Sequence, residues 1–447
     1  MKSSNFSQSS YAIMDSVITL RRLTMKKYLL IFVAFILSFS LIGCDFFGAA
    51  GTTTTQNQEI TEPTEFLPIS TAEQLAQIDV TKSYVLVNDI NLGGAEWEPL
   101  GSAANPFSGW FDGNDFTISN YVITEKNDNY NGLFGVATGN IFDLTIANFS
   151  ISYSTDFMTY AGGLVGHMTG NITNVDVNGT INVTNTSSNT YAGLLSGFHS
   201  AYITSTMTVS QFEPSEVINC SSEGTITVIS KNFAYVGGIT GKAYNIHLSH
   251  ASSNVNMTVT SQKYRAFAGG LIGHNFSGIL ADYEDVVDST DILIENCFAN
   301  STILIRDGGT WSTAGGLIGY NQYGVIKESF AQSSITLESD DHSYVGGLIG
   351  DDWNGKYESN VANVTVVVNA DDNEVKSLGL SGLIGSINDQ TLIEKSYYVI
   401  NYSGAVDTTL GESTDIANLA SVAWYQMTLL WDDLDFINLA IARLTQE

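Results

Sequence analysis

At 447 residues the chain has room for two or three ordinary domains, but with 41 glycines and only 5 prolines it is not built like one. The formal charge is −29, and beyond Cys44 the balance is 12 basic against 45 acidic residues, or −33. Such a surface repels phosphate backbones, so nucleic acid is excluded as a partner, while cations and basic groups are attracted.

The first element in chain order is a leader. From Met25 the chain reads MKKYLLIFVAFILSFSLIGC, with a Lys26-Lys27 charged region, an apolar run and a closing LIGC. The apolar run is shorter than the roughly 20 residues a membrane span needs. The segment resembles a bacterial lipoprotein signal, with Leu41-Ile42-Gly43-Cys44 matching the lipobox. That resemblance implies cleavage before Cys44 and a lipid on its sulfur, with Met25 as the true start, residues 1–43 removed, and the body held outside the cytoplasmic membrane. Residues 44–65 are small, polar and low in complexity, and are expected to form a flexible tether.

Residues 66–130 open the body with ISTAEQLAQI, YVLVNDINL and NPFSGWFDGNDFTISNYVI. Ser70 with Glu73 forms a capping-box pair, which predicts a short helix over 70–78 that plugs one end. From 131 to 400 one phrase keeps returning: YAGGLVG at 160, YAGLLSG at 191, YVGGITG at 235, FAGGLIG at 267, TAGGLIG at 313 and YVGGLIG at 344. Leu133, Leu164, Leu195, Ile239, Leu271, Leu317, Leu348 and Leu383 mark a base period of about 31 residues, stretched to 44 and 46 where segments are inserted after Gly197 and Gly273. A second phrase alternates with the first, as in ITNVDVNGTINV and VINCSSEGTITV. Both phrases read as strands, and neither carries a helical period. A propeller blade wants about 40 residues or more, so stacked coils of a parallel β-helix fit better. In such a stack a Cβ would meet the next layer at each glycine, or a positive φ would be required; the Leu-Ile pair fills the interior, and the leading Tyr or Phe can stack into a ladder.

The A/V-G-G-L-I/V-G copies over 130–386 resemble the GLUG motif of repeat-rich bacterial surface proteins, and residues 69–125 resemble the opening coils of right-handed β-helix proteins. The expected fold is therefore an all-β, right-handed parallel β-helix (solenoid) with short terminal caps. LLWDDLDFINLAIARL resembles the Trp-containing segment that closes such proteins, which makes 401–447 the expected C-terminal cap.

Chemistry is harder to find. Cys220 and Cys297 share a column two coils apart, about 9.6 Å, too far for a disulfide, so free inward thiols are expected. His167 and His274 occupy a variable column and are expected to be exposed. Zinc-site and nucleophile motifs are lacking. Asp282, Glu284, Asp285, Asp288 and Asp291 crowd the second insertion; they are calcium candidates without the spacing of a known loop, or simply a solvated acidic loop. No other cofactor is expected. Tyr202, Phe212 and Tyr283, also in the insertions, are candidates for stacking on sugar rings.

The resulting functional expectation is a lipid-anchored, extracytoplasmic binding or adhesin-like module for an extracellular glycan or a surface protein, with membrane contact through its lipid and no catalytic residues. Two alternatives stand beside it. One is a calcium-dependent polysaccharide lyase or a glycoside hydrolase, for which Arg265, Arg306 and Lys327 are candidate bases. The other is a structural surface coat.

Overall fold

The computed structural model describes residues 63–402 except 126–128, 202–212, 282–284, 288–291, 308–310, 340–341, 370–377 and 389, together with 412–414, 416–419, 424–429, 437 and 441. Cys44 and the tether as far as residue 62, Tyr202, Phe212, Tyr283 and four of the five acidic candidates lie outside the described residues. Asp285 falls in a short strand, Asp285–Val287, paired antiparallel with Ile279–Ala281.

The body is all-β and built from three long parallel sheets, the layout of a β-solenoid. Sheet I has 21 described strands, sheet II eight (Tyr130–Asn131 through Leu378–Ser381), and sheet III seven (Phe134–Ala137 through Ile349–Trp353). Each repeat visits sheet II, bends, visits sheet III, and returns along sheet I. The register reproduces the sequence intervals coil by coil: Thr159 pairs with Thr190, then Ala234, Ala266, Ser312, Ser343 and Leu378. The opening segment joins the same stack, because Leu67 pairs with Tyr84, Tyr84 with Phe111, and Phe111 with Ile141.

Period-2 alternation sends one column inward. Ile141, Ile172, Val217, Leu248, Ile294, Ile326 and Tyr357 stand on one another and are all buried. The Leu-Ile or Leu-Val pairs of the repeat phrase fill the opposite side, with Leu164, Val165, Leu271 and Ile272 fully buried. The interior also carries a polar ladder. Asn275 donates to Asn321 Oδ1 at 2.9 Å, and Asn321 donates to Asp352 Oδ1 at 2.9 Å. Gly355 N–H and the Thr391 hydroxyl satisfy the other Asp352 oxygen at 2.9 and 2.6 Å.

The glycines of the repeat phrase act by close approach, not by positive φ. A Cβ on Gly269 would lie 2.1 Å from Ile272 O, and one on Gly273 would lie 2.5 Å from Val236 N. The middle glycines face the small inward column of sheet I, where a Cβ on Gly270 would sit 2.7 Å from Ala299 Cβ and one on Gly316 2.7 Å from Ala331 Cβ. Positive φ is concentrated instead in a second column, Asp143, Asn174, Asn219, His250, Asn296, Glu328, Ser359 and Lys395, at φ between 44° and 57°. These residues kink sheet I just before the buried Val175, Cys220, Ala251 and Cys297. Where Asx side chains follow one another they link into a ladder, Asn219 to Asn174 and Asn174 to Asp143, both at 2.7 Å.

The expected N-terminal cap differs from its reading. The first helix is one turn, Ala72–Leu75, and its N-cap is Thr71 rather than Ser70. Thr71 Oγ1 accepts from Gln74 N–H at 3.2 Å, while Gln74 Oε1 accepts from Ser70 N–H at 2.7 Å, so the reciprocal box is closed by Gln74 and not by Glu73. At the other end, Leu419, Tyr425, Leu429 and Ile437 pack on Phe298, Phe330 and Val361. Those three belong to the outward column of sheet I, so these four described residues lie along the flank of that sheet. The two cysteines are free and buried, with Ala251 between them, and burial pushes both thiols up to about 12.

Candidate functional site: an aromatic seam with paired and unpaired cations

The glycine bend between sheets II and III is sharp enough that their outward side chains meet. One wall is the ladder of leading aromatics. Tyr130, Tyr160, Tyr191, Tyr235 and Phe267 stack at 4.9, 4.6, 4.7 and 4.9 Å between successive ring centroids, with planes within 15°. The other wall is the column after the last glycine, Val136, His167, Phe198, Lys242, His274, Tyr320 and Asp351. Tyr235 lies 5.7 Å from His274, and Phe267 lies 5.6 Å from His274 and 5.8 Å from Tyr320.

This geometry corrects the expectation that His167 and His274 are exposed. His167 stacks on Phe198 at 4.8 Å, and His274, 8% exposed, stacks on Tyr320 at 5.0 Å. Desolvation pushes His167 down to about 4 and holds His274 well below the usual imidazole range, with the Lys242 charge adding to the effect on His274. Both are neutral aromatic rungs at neutral pH. An outward column in a solenoid is normally solvated; this one is covered because two outer faces fold toward each other.

Arg265 spans the seam. Its guanidinium lies 5.0 Å over Phe267 and 5.3 Å over both Trp311 and Tyr320, and donates to Asp351 Oδ2 at 2.7 Å, two coils away. Burial raises the Asp351 carboxyl, and Arg265 pulls it back. Lys242 holds its ammonium 5.5 Å over the Tyr235 ring, and desolvation pushes it down to about 8.

The seam opens at the outer edge of sheet II. Phe233, Tyr264, Arg265 and Trp311 line a shallow hollow of about 260 Å³. Phe233 stacks on Tyr264 at 5.1 Å and Trp311 on His342 at 5.1 Å, while Tyr264 and Trp311 each keep 37% of their surface exposed. Flat rings held in parallel beside a guanidinium form a platform for another flat or ring-shaped ligand. Sequence reading missed Phe233, Tyr264 and Trp311. The available signal was position: Tyr264 and Trp311 stand just ahead of the phrases FAGGLIG and TAGGLIG.

The other cations named from sequence are elsewhere. Arg306 pairs with Glu338 at 2.8 Å, and Lys327 with Glu358 at 3.4 Å. Lys327 and Glu358, with Leu293, Val325, Lys356, Tyr357, Leu392 and Glu394, line a second hollow of about 230 Å³ on sheet I. Among the described residues, no three His, Cys, Asp or Glu side chains gather as a metal site would require, and no helix is long and apolar enough to cross a membrane. Both insertions leave from one corner, between sheets III and I, after Ala201 and Ala281.

No family model matches the chain. An alignment 77 positions long, covering 14% of the chain, shows 39% identity to an Evansella cellulosilytica protein provisionally named a Gly-rich membrane protein, of which it spans 9%. Among solved structures, a Bacteroides ovatus protein provisionally named an immunoglobulin A1 protease aligns over 74% of this chain and 84% of its own, at 17% identity and a TM-score of 0.45.

Proposed function

We propose that the protein is a surface module that binds glycans on the aromatic shelf formed by Phe233, Tyr264 and Trp311. The observation that carries this reading is the open hollow itself: Phe233 and Tyr264 stacked in parallel at the edge of the stack, with Trp311 half-open beside them and Arg265 held against Trp311. Sugar rings bury their apolar faces on such rings, and the spacing of coils, about 4.8 Å, is close to the length of one ring of a polysaccharide. In this reading the body is a right-handed, GLUG-type β-helix whose Cys44 carries lipid after leader cleavage, and the 44–65 tether lifts the shelf from the membrane. The membrane-protein name of the Evansella relative agrees with a membrane-associated setting, as does the lipobox-like LIGC.

The test is a glycan array probed with the full chain and with W311A and Y264A variants of unchanged melting temperature. Binding that both substitutions remove supports the reading. Binding that survives both moves the site elsewhere. Release of shortened glycan would make the protein an enzyme, and silence across the array would leave the structural coat.

A further inference from the structure

We propose that Lys242 is an anion subsite of the same seam, receiving the carboxylate or sulfate of an acidic sugar whose neighbouring ring lies on the shelf. The inference rests on reading the shelf as a glycan site and deepens it to a ligand class.

Four observations carry it. First, the Lys242 ammonium makes no hydrogen bond or ion pair with any described residue, and its one close partner is the Tyr235 ring face. Lys82, Arg265, Arg306 and Lys327 each have a carboxylate within 4 Å. Among the described residues Lys231 and Lys263 pair with no carboxylate either, but both are exposed to water, whereas Lys242 is half-buried without a counter-ion. Second, the groups around it cannot neutralise it. Tyr235 and Phe198 are uncharged, and His274, the next rung, is buried and stays neutral. Asp351 stands three coils away, roughly 14 Å at the strand spacing, and is already held by Arg265. Residues 202–212 contain no Asp or Glu, and the nearest acidic residues of the first insertion are Glu213 and Glu216.

Third, the site is desolvated. Lys242 is half-buried beside Tyr235, and burial pushes its ammonium down to about 8. A bound anion restores a charge-assisted hydrogen bond and returns the lysine toward its ordinary value. Fourth, Lys242 stands one ring away from the shelf, outside the lining of the hollow itself. Phe233 lies 6.0 Å from Tyr235, and Tyr235 lies under Lys242. A chain of sugars crossing from the hollow over Tyr235 brings the next ring's substituent to the ammonium. Long-range repulsion between an acidic glycan and this acidic protein is screened by salt, whereas the contact inside the seam is not.

The experiment uses the full chain, with K242M and W311A beside the natural sequence. Calorimetric titration compares one oligosaccharide backbone in neutral, carboxylated and sulfated forms. Tighter binding of an acidic form by tenfold or more, reduced to the neutral level in K242M, supports the proposal, and the preferred form identifies the anion. Equal affinity for neutral and acidic forms, or an unchanged preference in K242M, overturns it. A second measurement does not depend on glycan. Acylation of Lys242, read by peptide mass spectrometry, should be slowed at least threefold by sulfate or acetate at constant ionic strength set with chloride. Slowing without any glycan binding would keep the anion subsite and reject the shelf reading. No slowing, with binding lost only in W311A, would keep the shelf and reject the subsite. K242M should melt no lower than the natural protein, since it removes an uncompensated charge, and this separates the result from misfolding.

Discussion

Two outward faces of the same stack are apolar, and they have opposite fates. On sheet I, Phe298 and Phe330 stack at 5.5 Å with Val361 below them, and all three are sealed by Leu419, Tyr425, Leu429 and Ile437. On sheet II, Phe233 and Tyr264 stack at 5.1 Å and Trp311 on His342 at the same distance, yet Tyr264 and Trp311 stay more than one-third exposed. The repeat generates both ladders by the same means, since residues one coil apart must stack. What distinguishes them is that described residues of the chain's own C-terminal segment, Leu419, Tyr425, Leu429 and Ile437, pack on the first, whereas Tyr264 and Trp311 of the second stay partly exposed. A covered ladder contributes stability; an open one remains available to a ligand.

The largest effect should come from the element common to both faces, the glycine bend. Gly270→Val places a Cβ 2.1 Å from Gly316 O, a backbone atom that cannot step aside, so the loss should reach about 3 kcal/mol or more and remove cooperative unfolding of the central coils. Gly94→Ala is the control. It meets nothing within 4 Å and suffers only from its φ of +76°, about 1 kcal/mol. Chemical denaturation of the two variants separates close approach from backbone conformation as the reason for glycine, and equal losses would refute the close-approach account. On the covered face, Phe330→Ala should cost about 3–5 kcal/mol, the usual penalty for emptying a sealed aromatic site, and should release the C-terminal segment to protease. Resistance as great as in the natural protein would show that the segment is held by something else.

The parts of the fold that repeat were legible in the sequence. Intervals between Leu164, Leu195, Ile239, Leu271, Leu317 and Leu348 are the actual pairing offsets, because in-register stacking makes spatial and sequence periods one quantity. The aromatic ladder and the paired column of Cys220, Ala251 and Cys297 follow from the same rule. What arises once, or between columns, was not legible. His167 and His274 were read from their column alone, and nothing in that column says that a second outward face bends over it. The shelf depends on that same bend. The C-terminal segment has no period to reveal where it lies, and the helix cap moved by one residue because Thr71 and Gln74 offer the same capping chemistry as Ser70 and Glu73.

The inner column beside the seam predicts a pH effect of intermediate size. His199 is fully buried, accepts or donates at Nε2 to Ser215 Oγ at 2.7 Å, and is pushed by burial down to about 4. Its folded value therefore lies below its unfolded value of about 6.5, so the unfolded chain binds the extra proton. The stability it contributes is complete above pH 6.5 and is lost as pH falls through 4, on the order of 3 kcal/mol for this group. His199→Met, matching the Met168 that precedes it in the column, should flatten the urea-midpoint slope between pH 6.5 and 4 by up to one proton. An unaltered slope would mean that His199 is protonated in the folded state.

The smallest effect on stability should come from the open face, and there the contrast is sharpest. Trp311→Ala removes one ring contact with His342 and one cation contact with Arg265 at a half-open position, so the loss should stay below about 1 kcal/mol. Arg265 keeps its bond to Asp351 and its places over Phe267 and Tyr320, so the seam behind the shelf should not collapse. Phe330→Ala should weaken the fold and spare ligand binding in the molecules that remain folded; Trp311→Ala should do the reverse. Thermal melting read beside glycan affinity tests both halves at once. A Trp311 variant that melts as low as the Phe330 variant would make the open ladder a structural one too, and the difference between the two faces would then be only one of coverage.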